Sequence, residues 1–174
     1  MSETLLQKVM TESGQPLNLC YQCRKCSVGC PMVKEFDFAP NVVVRMIQLG
    51  MKDELLNSKS IWMCVSCETC GSRCPNEIRL APVMDSLRAL CLAEGIAPAE
   101  PATVALHTSF IDSIKRFGRV HEATMLMSYK LRSKNLTSDL DVGLKLFLRG
   151  KIPILPKKSK NLATVKKIFN EAGK

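Results

Sequence analysis

Nine cysteines occur in the chain, and eight of them form two identical sets of four with the pattern CxxCxxCxxxCP. The first set is Cys20, Cys23, Cys26 and Cys30, and the second set is Cys64, Cys67, Cys70 and Cys74. A proline follows the last cysteine of each set, and every element of the pattern recurs 44 residues later. The chain therefore contains an internal duplication of one short motif.

The duplication continues beyond the cysteines. The segment Phe38-Ala39-Pro40 is echoed by Leu80-Ala81-Pro82, and each leads into an apolar stretch that a glycine closes, Gly50 or Gly95. A proline at the start of an apolar segment and a glycine just past its end are typical helix boundaries. We therefore predict one helix after each motif, between Pro40 and Gly50 and between Pro82 and Gly95.

Three kinds of structure use cysteines at this density. A disulfide framework requires an oxidising compartment, but the N-terminal sequence MSETLLQKVMTESG has neither a basic region nor an apolar region typical of a secretory leader. Structural zinc usually takes two separated CxxC pairs, whereas here four cysteines lie within eleven residues. The repeated CxxCxxCxxxCP run is typical of ligands to [4Fe-4S] clusters. We therefore predict two [4Fe-4S] clusters as the cofactors.

In two-cluster proteins with this run, the fourth cysteine ligates the other cluster. The predicted ligands of the first cluster are Cys20, Cys23, Cys26 and Cys74. The predicted ligands of the second cluster are Cys64, Cys67, Cys70 and Cys30. No phosphate-binding glycine loop, nucleophile motif or group of histidines and carboxylates accompanies them, so we predict no catalytic residue.

The sequence predicts an all-α fold. No convincing alternating strand pattern occurs, and further helices are expected over residues 106–117, 121–134, 139–149 and 161–171. Residues 1–100 are predicted to form an α-helical ferredoxin domain with two clusters, in preference to the βαββαβ ferredoxin fold. Residues 101–174 are predicted to form a helical extension. The ninth cysteine, Cys91, and both histidines, His107 and His121, are expected to be structural.

Positive charge is concentrated at the C-terminus, where residues 142–174 hold nine Lys and Arg against one acidic residue. Nucleic acid, an anionic membrane and an acidic protein are all compatible with such a segment. Few aromatic residues lie among these lysines and no reading motif is present, so we favour docking onto a partner subunit and expect no nucleic acid. The longest stretches without charge are only eleven residues, so we expect no transmembrane segment and a cytoplasmic protein.

The duplicated motifs, the segment WMCVSCETC at residues 62–70 and the segment FGRVHE at residues 117–122 resemble the C subunits of heterodisulfide reductases (HdrC-like) and their bacterial relatives. The resemblance implies an iron–sulfur protein that relays electrons between a flavin and iron–sulfur partner (HdrA-like) and a catalytic partner (HdrB-like). It implies that bond-making chemistry takes place in a partner.

Similar cysteine motifs occur in the iron–sulfur subunits of succinate dehydrogenase and glycerol-3-phosphate dehydrogenase. The alternatives are therefore a cluster subunit of another respiratory or dehydrogenase complex linked to quinone and, less favoured, a nucleic-acid-binding iron–sulfur protein. The sequence leaves open the terminal substrate, which in the family is a heterodisulfide or a sulfur-carrier species. It also leaves open the direction of electron flow, the cluster potentials and the stoichiometry of the complex.

Overall fold

The structure is a computed structural model that describes residues 3–134, 145–146, 148–149 and 155–172. Contacts divide the chain into two compact units, Met1–Glu100 and Pro101–Lys174. The described residues contain helices and no strand, which confirms the predicted all-α class. None of the described helices combines the length and the apolar character that are needed to span a bilayer.

The described part of the N-terminal unit, residues 3–100, contains seven α-helices and two short 3-10 helices at Leu17–Leu19 and Val33–Glu35. The α-helices are α1 (Leu5–Ser13), α2 (Lys25–Val28), α3 (Pro40–Leu49), α4 (Lys52–Leu56), α5 (Ser60–Met63), α6 (Thr69–Ser72) and α7 (Leu80–Ala93). In the C-terminal unit the described residues form α8 (Pro101–Phe117), α9 (Glu122–Ser133) and α10 (Leu162–Ala172), and residues 145–146 and 148 are also helical.

Proline and glycine set the ends of the helix after each motif. Helix α3 begins at Pro40 and ends before Gly50, whose φ of 73° is readily adopted only by glycine. Helix α7 begins at Leu80, two residues before the predicted start at Pro82. The helix accepts Pro82 because N–H groups of the first turn have no intrahelical partner to lose.

The C-terminal predictions agree with the structure to different degrees. Helix α8 begins at Pro101, five residues earlier than residue 106. Helices α9 and α10 lie within one residue of the predicted ranges. The helix predicted over residues 139–149 falls largely outside the described residues.

Helix α1 was not expected from the periodicity of the sequence. Its start is fixed by a capping box, in which Gln7 N–H donates to Thr4 Oγ1 at 3.2 Å and Thr4 N–H donates to Gln7 Oε1 at 3.0 Å. Helix α1 contacts α3 and α7, and its Val9 is fully buried. Ser86 Oγ on α7 donates to Glu12 Oε2 at 2.7 Å. These contacts place α1 in the core of the N-terminal unit.

That core is built from apolar side chains of α1, α3, α4, α5 and α7. The fully buried members include Val9, Leu17, Val43, Ile47, Leu55, Leu56, Ile61, Val83, Met84 and Leu87. Burying each such side chain contributes roughly 1.5–3 kcal/mol. Cys91 lies among them with no exposed surface, and its thiol faces the carbonyl oxygens of Leu56 and Ile96, each at 3.6 Å. The predicted structural role of Cys91 is confirmed.

The FGRVHE segment forms the turn between α8 and α9. His121 is 4% exposed, its Nδ1 accepts from Thr124 N–H at the start of α9, and its own N–H donates to Ser113 Oγ at 2.9 Å. The ring centroids of His121 and Phe117 lie 5.7 Å apart in an edge-on arrangement. His121 is therefore structural, as predicted, whereas His107 is exposed on α8.

Arg88 on α7 links the core to the second cysteine loop. Its side chain is 12% exposed, with Nε donating to the Ile61 carbonyl at 2.5 Å and Nη2 donating to the Cys64 carbonyl at 2.6 Å. The guanidinium thus holds the end of α5 and the first cysteine of the second set.

We expect Arg88→Ala to lower the free energy of unfolding by about 2 kcal/mol or more, because an unpaired buried carbonyl costs about 1–3 kcal/mol. Asp85→Ala is the control, since it removes an ion pair whose aspartate is 63% exposed and should cost less than about 1 kcal/mol. Denaturant unfolding of the metal-free chain measures both values. Equal losses in the two variants would show that Arg88 does not brace the loop.

Candidate metal centres

Each cysteine loop follows the same backbone course. The residues on either side of the second cysteine have positive φ angles. In the first loop these residues are Gln22, with a φ of 57°, and Arg24, with a φ of 63°. The equivalent residues of the second loop are Ser66 at 51° and Glu68 at 59°. This conformation costs a non-glycine residue roughly 1–2 kcal/mol, and such strain persists at functional sites. The duplicated sequence therefore folds twice into the same strained loop.

The short helices α2 and α6 end in matching turns. The N–H of Cys30 donates to the Ser27 carbonyl at 3.2 Å, and the N–H of Cys74 donates to the Gly71 carbonyl at 3.1 Å. The proline that follows each cysteine has a fixed φ and no N–H, so the helix cannot continue. Helices α2 and α6 contact each other. The fourth cysteine of each set therefore lies at the boundary between the two copies of the motif.

The structure brings the eight cysteines together in two groups of four. The first pocket is lined by Cys20, Cys23, Cys26 and Cys74. The second pocket is lined by Cys64, Cys67, Cys70 and Cys30. Each group takes three thiols from one copy of the motif and the fourth thiol from the other copy. The grouping matches the two predicted sets, and the role of these thiols as ligands stays a prediction.

The donor set of each pocket suits a cubane iron–sulfur cluster. Four thiolates saturate such a cluster, and each pocket offers four cysteines. No three histidine, cysteine or carboxylate side chains among the described residues are placed to hold a single metal ion. The residues present fit a pair of clusters.

Burial and hydrogen bonding act differently on these thiols. Burial raises the pKa values of Cys26, Cys30 and Cys70 above the usual thiol range. At Cys67 a hydrogen bond between Sγ and the Thr69 hydroxyl, 3.4 Å long, lowers the pKa. Ligands must bind as thiolates, so cluster assembly in either pocket releases protons from the chain.

A polar network surrounds the first pocket. Gln22 Nε2 donates to Cys20 Sγ at 3.4 Å, and Asn41 Nδ2 donates to Gln22 Oε1 at 3.2 Å. Ser27 Oγ in turn donates to Asn41 Oδ1 at 2.6 Å, and both Ser27 and Asn41 are buried. The network fixes the Gln22 amide so that it can donate to a cluster thiolate, an outer contact that orients and tunes a metal ligand.

The second pocket is mainly apolar. Phe36, Leu80, Ala81 and Met84 contribute to its lining. Glu68, which lines this pocket, forms an ion pair with Arg79, which does not. Arg79 Nη2 lies 2.7 Å from Glu68 Oε1. The hydrogen bond to Glu68 raises the pKa of Arg79 above its usual value. The charge of Glu68 is therefore largely balanced.

The two copies have diverged in the residues behind the cysteines. Gly71 occupies the position equivalent to Ser27, and a Cβ there would lie 3.1 Å from Glu68 Oε2. The second copy therefore lacks the hydroxyl that anchors Asn41. Sequence reasoning missed this network, although the exchange of serine for glycine between otherwise matching motifs was visible.

Comparison with known proteins agrees with the geometry of the cysteines. The family model of a 4Fe-4S dicluster domain matches residues 19–79. The C subunit of the H(2):CoB-CoM heterodisulfide,ferredoxin reductase of Methanothermobacter thermautotrophicus is 28% identical over 120 residues, which are 68% of this chain and 63% of the relative. The iron–sulfur C subunit of the CoB–CoM heterodisulfide reductase of Methanopyrus kandleri is 32% identical over 106 residues, or 61% and 55% of the two chains.

A third relative, from Archaeoglobus profundus, is named for its likeness to the C subunit of heterodisulfide reductase. It is 32% identical over 98 residues, 53% of this chain and 52% of the relative. The chain thus spans less than two thirds of the length of these relatives. The match to the family model contains all eight cysteines of the duplicated motif. The chain therefore contains a region that matches the 4Fe-4S dicluster domain, and it is similar to the C subunits of heterodisulfide reductases.

Proposed function

We propose that this chain is an electron-transfer subunit that holds two [4Fe-4S] clusters. In this proposal the first cluster is bound by Cys20, Cys23, Cys26 and Cys74, and the second by Cys64, Cys67, Cys70 and Cys30. Each cluster, when bound, supplies a centre that gains and loses one electron. The observation that carries the proposal is the grouping of eight thiols into two pockets, each shared between both copies.

The residues around the pockets have separable roles in this function. The cysteines bind the clusters. Because each cluster has four thiolate ligands, none of its iron atoms is open to a substrate. In the second pocket Phe36 and Met84 exclude water. In the first pocket Gln22 holds a hydrogen bond on the Cys20 sulfur. This arrangement supports electron transfer rather than bond-making chemistry.

We further propose that the chain relays electrons within a complex similar to heterodisulfide reductase. The partners would be an HdrA-like flavoprotein and an HdrB-like catalytic subunit. Support comes from the relatives, whose names assign them to reductases of the CoB–CoM heterodisulfide. The terminal substrate of the complex is then a heterodisulfide or a related sulfur-carrier species.

Metal content tests the cluster proposal directly. The full chain, reconstituted anaerobically, should contain about eight iron and eight sulfide per molecule, because two cubane clusters hold four of each. EPR of the dithionite-reduced protein should show two interacting cubane signals. Zinc in place of iron, with no signal in the reduced state, would contradict the proposal.

The crossed pairing predicts how double variants behave. Cys20→Ala and Cys74→Ala should each lose one cluster, and their combination should lose only that same cluster, leaving about four iron. Cys64→Ala combined with Cys74→Ala should lose both clusters. Cys91→Ala is the control and should keep about eight iron, since Cys91 lies outside both pockets.

Iron analysis of these variants separates the two pairings. Retention of about four iron in the Cys64→Ala, Cys74→Ala double variant, with complete loss in the Cys20→Ala, Cys74→Ala variant, would show that each copy binds its own cluster.

Isolation of the complex tests the proposed partners. A tagged chain isolated anaerobically from its own cells should bring down a flavoprotein and a second protein with paired cysteines. The isolated flavoprotein, once reduced, should reduce the clusters of this chain in a stopped-flow assay. Recovery of a haem-containing or quinone-reactive membrane protein instead would support the alternative respiratory complex.

A further inference from the structure

The exposed surface around Cys23 differs from the rest of the N-terminal unit. Cys23, Lys25, Val28 and Arg73 line one shallow hollow, and Tyr21 and Arg24 lie beside Cys23 and Lys25 in the lining of the first pocket. We call these six residues the Cys23 surface. Val28 is 83% exposed and Tyr21 is 72% exposed, which leaves apolar side chains in water next to a thiol. Exposed apolar groups gathered at a functional site mark a contact surface.

The Cys23 surface is positively charged. Arg24, Lys25 and Arg73 are exposed, and none of them forms an ion pair with any residue that the structure describes. This charge is local, because residues 1–114 as a whole hold ten basic against twelve acidic residues. A cluster of unpaired cations attracts an anionic partner and raises its rate of association.

The second copy provides an internal comparison. The equivalents of Arg24, Lys25 and Val28 are Glu68, Thr69 and Ser72. Glu68 is balanced by Arg79 at 2.7 Å. The surface around Cys67 is therefore close to neutral, and the positive charge is specific to the first copy.

Arg73 reaches the Cys23 surface across Gly29. A Cβ at residue 29 would lie 2.5 Å from Arg73 Cδ and 2.6 Å from Arg73 Nε, so the arginine side chain lies directly over the glycine. Gly29 and Arg73 are equivalent positions of the duplication, each immediately before the fourth cysteine. One copy thus supplies the arginine and the other supplies the space for it.

We propose that the Cys23 surface is the docking site for a one-electron carrier protein with an acidic surface. The proposal rests on the cluster-binding function proposed above and names where one partner binds. Cys23 is the exposed thiol of the first pocket, whereas the other three are partly covered. Exposed apolar side chains together with unpaired cations suit the small interfaces of transient electron-transfer complexes. One electron crosses between the first cluster and the carrier, and no bond forms or breaks.

The test uses the reconstituted full chain, reduced and mixed in stopped flow with an oxidised acidic flavodoxin as the probe. Lys25→Glu and Arg73→Glu should each lower the second-order rate constant about tenfold at low ionic strength. The difference should largely disappear near 1 M salt, where the Debye length is about 3 Å. Lys8→Glu, which makes the same change in charge outside both pockets, should have little effect.

Two further measurements separate docking from damage to the cluster. Gly29→Ala displaces the Arg73 side chain without changing the charge of the chain, so it should also slow the reaction with the flavodoxin. Ferricyanide should oxidise the Lys25→Glu variant more slowly than the wild type, and cobalt(III) hexaammine should oxidise it faster. A variant damaged at the cluster would change both rates in the same direction, which would overturn the proposal.

Iron content distinguishes a failure of the proposed cluster binding from a failure of the docking site. A wild-type chain that assembles no iron–sulfur cluster contradicts the proposed function, and the docking site fails with it. A chain with about eight iron, in which Lys25→Glu and Arg73→Glu react as fast as Lys8→Glu, contradicts the docking site alone. A larger effect of Arg79→Glu than of Arg73→Glu would contradict docking at the Cys23 surface and place it at the residues around Cys67, Glu68 and Arg79.

Discussion

The exchange of the fourth cysteine between the two copies is the constraint on which the N-terminal unit depends. Each pocket needs one thiol from the other half of the duplication, so neither half can form a complete site alone. The contact between α2 and α6 brings Cys30 and Cys74 across this boundary. Cluster binding would therefore crosslink cysteines that lie 34 to 54 residues apart in the sequence, and ligand binding and folding are coupled.

The helical core supports loops that would not hold their shape alone. Positive φ angles at Glu68 and its equivalents are strained, and such strain persists only where the surrounding structure fixes the chain. Arg88 binds the carbonyl of Cys64, and Gln15 Oε1 accepts from the Arg79 N–H at 2.8 Å. Asn76 also donates to the Leu19 carbonyl. These bonds join the loops to each other and to α7, and so fix the positions of the thiols.

Features that depend on regular spacing or on proline and glycine could be predicted from the sequence. Features that depend on tertiary contacts could not. Cysteine spacing predicted the two groups of thiols, and proline and glycine predicted the helix after each motif to within two residues. Helix α1 is too short for a clear apolar period, although Thr4, Gln7 and Gly14 signal its ends. The bonds of Asn41 to Gln22 and Ser27 join residues 19 and 14 apart and have no local signature. Such contacts follow only from the packing of α2 against α3.

The polar network behind the first pocket makes the surroundings of the two thiol groups unequal, which bears on the reduction potentials of the clusters they are proposed to hold. Reduction adds negative charge to a cluster, and hydrogen bonds to its sulfurs or nearby cations stabilise that charge. The first pocket has the Gln22 donor and the unpaired charges of Arg24 and Lys25. The second has the Thr69 hydroxyl beside Cys67, a mainly apolar lining and a balanced Glu68. Two clusters with identical ligands are therefore expected to have unequal potentials. In the proposed two-cluster protein an added electron would reside mainly on the first cluster, and the divergence of the copies would create a downhill step within one small domain.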